Sequence, residues 1–166
     1  MYGHSETPLH WVNQLLLFRD IQNETGGFTE FVPLGFVHHN TLLFQQGLSR
    51  PGPTLAEHLK IHALARVMLA GSINNIQVSW VKLNRNLSQL CLHAGANDYG
   101  GTLMEENISR EAGATAGQYT SPEEFQNLIL EIGRIPAERN TTYTRMTIKL
   151  PSEEFTSEHS LDPEFA

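Results

Sequence analysis

The sequence predicts an α/β fold in which short apolar strands alternate with helices. Helical spacing of apolar residues recurs behind N-capping residues, after Thr7-Pro8, Thr54 and Ser121-Pro122. Brief runs rich in β-formers lie between these stretches, at 28–34, 76–81 and 96–102. Glycines close the helices, at Gly26-Gly27, Gly71, Gly95 and Gly133.

The first helix carries Leu9, Val12, Leu15, Leu16 and Phe18 at helical spacing. The strand after it ends at Pro33, and 38–53 reads as a loop because it holds Gly47, Pro51, Gly52 and Pro53. A second helix runs from Thr54 to about Ala70, with Leu55, Leu59, Ile61, Leu64, Ala65 and Met68 on its buried side. The 76–81 strand leads to a short helix marked by Leu87, Leu90, Cys91 and Ala94, and the third strand follows. Ser121-Pro122-Glu123-Glu124 is a capping box ahead of Phe125, Leu128, Ile129 and Ile132. Thr141 to Leu150 reads as a terminal β piece. Such an order calls for a parallel sheet with crossover helices. Three strands cannot close a barrel, which takes about 250 residues. The residues alone therefore allow either a small open sheet or part of something larger.

Composition narrows the function classes. Hydrophobic residues make up 40% of the 166, enough for one core. The net charge is −7, and most of it lies in the segment 151–166, which holds five carboxylates and no Lys or Arg. That segment is expected to be a disordered acidic tail beside a single domain at 1–150. The body has no basic stripe, which argues against nucleic acid. The sequence has no apolar run of bilayer length and no secretory pattern at Met1-Tyr2-Gly3-His4, and the expectation is a cytoplasmic protein. Cys91 stands alone, so no internal disulfide can form; its place among helical apolar positions suggests a buried structural thiol.

Ligand-binding groups of parallel α/β sheets collect where strands end at their carboxyl edge. Here those positions are polar. They include His4 near the start, Glu30 and His38 on and after the next strand, then Gln77, Ser79 and Lys82. Asn97 and Asp98 follow, and after Gly100-Gly101 come Glu105 and Asn107. These ten form the candidate substrate-binding set, and some can equally serve as caps and turn formers. No metal site is expected. His58 and His62 have i,i+4 spacing, but no third ligand lies nearby and the pattern is not H-E-x-x-H. The run 95–101 is no phosphate-binding loop, because Lys-Ser/Thr is missing. Arg50, beside Pro51-Gly52-Pro53, either reaches a ligand or is an exposed loop arginine.

Five stretches carry a family resemblance: MYGHSETPLHWV, FRDIQNETGGFTEFVPLGFVH, RPGPT, NNIQVSWVKL and GANDYGGTLMEENISREAGA. They resemble the radical S-adenosylmethionine family of FO synthase subunit 2, a 4-hydroxyphenyl transferase, over about 1–144. Two futalosine-pathway enzymes of menaquinone synthesis are relatives. TEFVPLGFVH followed by RPGPT is most similar to the FO synthase branch.

The resemblance implies the C-terminal half of a (β/α)8 TIM barrel, strands about five to eight, with a short terminal β extension. It also implies S-adenosylmethionine and a 4Fe-4S cluster as cofactors. The family holds the cluster on a C-x3-C-x2-C loop that this sequence lacks. The implied substrates are L-tyrosine, which yields a 4-hydroxybenzyl group, and 5-amino-6-(D-ribitylamino)uracil, which receives it on the way to the deazaflavin FO. The implied partners are the missing N-terminal half or the other FO synthase subunit. A futalosine-pathway enzyme and a half-barrel remnant without chemistry are the alternatives.

Overall fold

The computed structural model describes residues 1–102, 111–113 and 119–149. Five α-helices lie in this part: α1 (Pro8–Thr25), α2 (Leu42–Gln45), α3 (Leu55–Met68), α4 (Arg85–His93) and α5 (Pro122–Glu131). Two strands, β1 (Ala137–Arg139) and β2 (Met146–Ile148), pair antiparallel, with Glu138 opposite Thr147.

Capping follows the sequence chemistry. The Thr54 hydroxyl accepts from the Glu57 amide, and the Glu57 carboxylate returns the contact to Thr54 N at 2.8 Å. Ser121 and Glu124 repeat this reciprocal pair at α5. Asn84 caps α4 through Leu87 N. Gly26, at φ 62°, ends α1 in the left-handed conformation.

Four extended segments are joined by parallel bridges: Tyr2 to Gly35, Phe31 to Ile76, and Gln77 to Asp98. They lie in sequence order, each pair separated by a helical segment. α1 packs on α3, α3 on α4, and α4 on α5. The architecture is thus mixed helix and small sheet, an α/β arrangement of the expected order. The three expected strands contribute single bridge pairs rather than long ladders.

Side-chain alternation gives the arrangement two faces. Tyr2, Ile76, Val78 and Tyr99 enter one core with Trp11, Leu15, Ile61, Ala65, Cys91, Leu92, Phe125 and Leu128 from the helices, and Phe31 packs against it. Glu30, Gln77 and Asp98 alternate with these core residues and are only partly covered.

Several local expectations are corrected. The 76–81 strand stops early, because the backbone turns into a 3-10 helix at Trp80–Lys82, closed by Lys82 N to Ser79 O. The loop 38–53 contains α2. The terminal β piece begins at Met146, not Thr141, and pairs with a strand at 137–139 that periodicity did not show. Asn140 explains the shift. Its side chain accepts from Arg145 N and reaches the Thr142 and Thr144 hydroxyls, turning a β-branched run into a hairpin loop. Leu9, one of the apolar residues at helical spacing in α1, is 66% exposed, while Trp11 is buried. The expected acidic tail at 151–166 lies outside the described residues.

Candidate functional site

The expected rim resolves into two polar groups. The first lies where the opening segment ends. Gly3 stands at φ 91°, and any Cβ there would overlap the ring of Pro53. The chain therefore turns sharply and brings Glu6 back beneath it. The Glu6 carboxylate accepts from Gly3 N, His4 N at 2.9 Å, His4 Nδ1 at 2.5 Å and Trp11 Nε1 at 2.9 Å. Arg50 adds an ion pair at 3.4 Å and binds Glu57 at 2.6 Å through its other terminal nitrogen. Burial alone would raise the Glu6 carboxyl. The donors from Gly3, Trp11 and His4 outweigh it and hold the group well below the usual carboxylate range. Arg50 is thus an intramolecular strap between two glutamates.

Beneath this group, the buried Tyr2 hydroxyl meets His58 Nδ1 at 2.5 Å. Burial pushes the Tyr2 phenol up, so the hydroxyl keeps its proton beside the His58 ring. Burial, with a smaller push from His62, lowers His58 to about 4. His62 Nδ1 donates to the His58 carbonyl at 2.7 Å. The i,i+4 histidines therefore serve the core.

This burial has a consequence for pH. The unfolded chain binds a proton on His58 near pH 6.5, and the folded chain refuses it until about 4. The unfolded state holds more protons in that window, so stability falls as pH falls. We predict a loss of about 2 kcal/mol from this group between pH 7 and pH 5. Chemical denaturation at the two pH values measures it, and His58→Gln should flatten the dependence. An unchanged slope in that variant would contradict the assignment.

The second group gathers on the partly covered face. Arg139 of β1 donates to both carboxylate oxygens of Asp98, at 2.6 and 3.2 Å, and to Gly100 O at 3.2 Å. It lies 3.6 Å from the Glu30 carboxylate. The Tyr143 hydroxyl reaches Glu30 and Asp98, at 2.7 Å each, and the Arg139 guanidinium sits 4.2 Å above the Tyr143 ring. Tyr143 takes φ 58° to make this reach. The Gln77 side-chain amide packs where a Cβ on Gly100 would stand, and Gly100 has φ 88°. The hairpin is thereby clamped onto the sheet face by an ion pair whose members are mostly buried.

Glu30, Gln77 and Asp98 come together here. His4 and His38 do not join them. Glu30 precedes Phe31 at the start of its strand, whereas His4 and Gly35 lie at the level of the opening segment's end. Five residues of extended chain separate Glu30 from Gly35, roughly 16 Å. His38 stacks on His39 with centroids 4.0 Å apart and abuts Phe44. Asn97 points to the helices, where its carbonyl oxygen accepts from Arg66 and from Ile76 N, both at 2.8 Å. Ser79 is buried, and Lys82 lies in the 3-10 helix. Glu105 and Asn107 fall outside the described residues. Glu6, Arg139 and Tyr143 were not in the candidate set. Glu6 had a readable signal in its two-residue spacing from His4; the hairpin pair had none.

The family described as the CofH/MqnC C-terminal region matches residues 25–152. The chain belongs to this family. Among its relatives, the 5-amino-6-(D-ribitylamino)uracil–L-tyrosine 4-hydroxyphenyl transferase of Methanopyrus kandleri is 53% identical over 143 residues. That stretch is 86% of this chain and 39% of the relative. The namesake enzyme of Methanocaldococcus jannaschii is 51% identical over 143 residues, 86% of this chain and 40% of its own length. An FO synthase of Mycobacterium leprae is 54% identical over 143 residues, 86% of this chain but 17% of that protein. The chain thus spans about two fifths of the transferases it matches.

For a CofH/MqnC-type chain the implied cluster needs three thiolates. The residues present do not fit it. Cys91 is the single cysteine, lies fully buried in the helix-packed core, and is pushed up to about 12 by that burial. Among the described residues no three His, Cys, Asp or Glu side chains gather as a metal site. Nor is any helix among them long and apolar enough to cross a membrane.

Proposed function

We propose that this chain is the C-terminal, substrate-contacting part of a transferase that joins the 4-hydroxybenzyl group of L-tyrosine to 5-amino-6-(D-ribitylamino)uracil. One observation carries the reading beyond family membership. Glu30, Gln77 and Asp98, from two neighbouring strands and the start of a third, converge on the face opposite the helices, where Arg139 and Tyr143 of the hairpin also hold the two carboxylates. In this reading the face lines the interior of a (β/α)8 barrel, of which this chain contributes the last strands. The relatives' names supply the two substrates.

The chain's residues would bind and orient. Carboxylates, which accept from O–H and N–H groups, and a side-chain amide, which both accepts and donates, suit the hydroxyl-rich ribityl chain and the uracil edge. His4, His38, Ser79, Lys82, Glu105 and Asn107 complete the proposed contact set, whereas Asn97, turned to Arg66 of α3, leaves it. Radical chemistry, with S-adenosylmethionine and its cluster, is assigned to the segment of the relatives that this chain does not match.

Complementation tests the proposal. The chain is co-expressed with the part of the Methanopyrus kandleri relative that precedes the matched region, and the pair is reconstituted anaerobically with iron and sulfide. Tyrosine-dependent formation of the 4-hydroxybenzyl adduct of the aminouracil is expected by mass spectrometry. A pair that co-purifies yet forms no adduct, beside an active full-length relative, would refute the reading and favour a remnant without chemistry.

A further inference from the structure

We propose that His4 is a proton acceptor at the carboxyl end of the opening segment and that Glu6 is the residue that positions it. The proposal rests on the reading above, that substrate approaches this sheet. Nothing in the relatives' names assigns a role to either residue.

The argument begins with the hydrogen-bond chemistry. An ionised carboxylate only accepts. Glu6 is held ionised by its amide, indole and guanidinium donors. His4 Nδ1, 2.5 Å from Glu6 Oε2, must therefore carry the proton. In the neutral ring this leaves the lone pair on Nε2. Nε2 has no hydrogen-bond partner among the described residues, and the His4 side chain is 26% exposed. Phe36 packs against the ring at 5.9 Å and limits its tilt. A carboxylate, an imidazole and an open Nε2 are the parts of a positioned general base.

Glu6 is itself immobilised. Its two oxygens are shared among groups from the turn (Gly3, His4), from α1 (Trp11) and from the loop before α3 (Arg50). Arg50 N also donates to the His4 carbonyl at 2.9 Å, so the backbone beneath the ring is fixed at both ends. The step assigned to His4 is a proton transfer. An O–H or N–H bond of bound substrate breaks, its electron pair stays on the substrate atom, and an Nε2–H bond forms. The resulting imidazolium keeps Nδ1–H on Glu6, where the two opposite charges meet.

Long-range 1H–15N spectra of the full chain at pH 8 read the tautomers directly. His4 should carry its proton on Nδ1. His58, buried against Tyr2 and away from Glu6, serves as the internal reference in the same spectrum. Glu6→Gln should move His4 towards the Nε2–H form and leave His58 unchanged. In the complemented enzyme the same variant should lower kcat about 100-fold with KM unchanged. His4→Gln should do likewise, and the double variant no worse. Glu6→Asp should recover part of the loss.

An Nε2–H tautomer for His4 in the wild type would overturn the proposal. So would a Glu6→Gln variant whose kcat stays within threefold, or one whose loss matches its fall in melting temperature. If the wild-type pair shows no turnover, the functional reading fails, and the tautomer spectra still decide the role of Glu6.

Discussion

Asp98→Asn is expected to release the hairpin 137–148 from the sheet and cost about 3 kcal/mol. Asp98 receives two hydrogen bonds from Arg139 and one from Tyr143, and it also binds Gly100 N. Its side chain is 9% exposed and that of Arg139 is 17% exposed. Truncating one member of such a pair leaves the other charge covered by protein and poorly compensated, which costs more than the pair contributes. Glu30, 3.6 Å from Arg139, is too far to replace the short contact. Amide exchange should show protection lost across 137–148 and retained in α3 and α4. Tyr143→Phe removes only a shared hydroxyl and should cost about 1 kcal/mol. Equal protection in Asp98→Asn and wild type would show that the ion pair does not hold the hairpin.

Gly3→Ala is expected to destabilise the chain by about 4 kcal/mol, from left-handed backbone strain and steric overlap together. Gly3 has φ 91°, and a methyl group there would run into Pro53. The turn could relax only by moving Gly3 N and His4 N off Glu6, which would also dismantle the His4 site. Gly26→Ala is the control. Its φ is 62° but nothing lies within 4 Å of the added carbon. Strain alone should cost about 1 kcal/mol there. Denaturant melts of the two variants separate the effects, and a Gly3→Ala loss no larger than that of Gly26→Ala would refute the packing argument.

The sequence by itself determined the order of α1, α3, α4 and α5 and of the extended segments between them, because that order is written in local signals. Caps at Thr54 and Ser121 bind amides three residues on, and the glycine at 26 needs only its own φ. The motif stretches likewise determined family membership, since they are contiguous. The burial of Cys91 was legible from its helical spacing.

Only the tertiary structure decided which polar residues meet. Asn97 and Asp98 are neighbours in sequence, but alternation along a strand sends one to the helices and the other to the open face. Arg139 and Tyr143 reach Asp98 across 41 and 45 residues, a distance at which no periodicity operates. Trp11 rather than Leu9 faces inward because its indole N–H has a partner in Glu6 and its ring meets Tyr2 edge-on. Side-chain chemistry told which residues can act; the parallel register and one buried ion pair fixed where they stand.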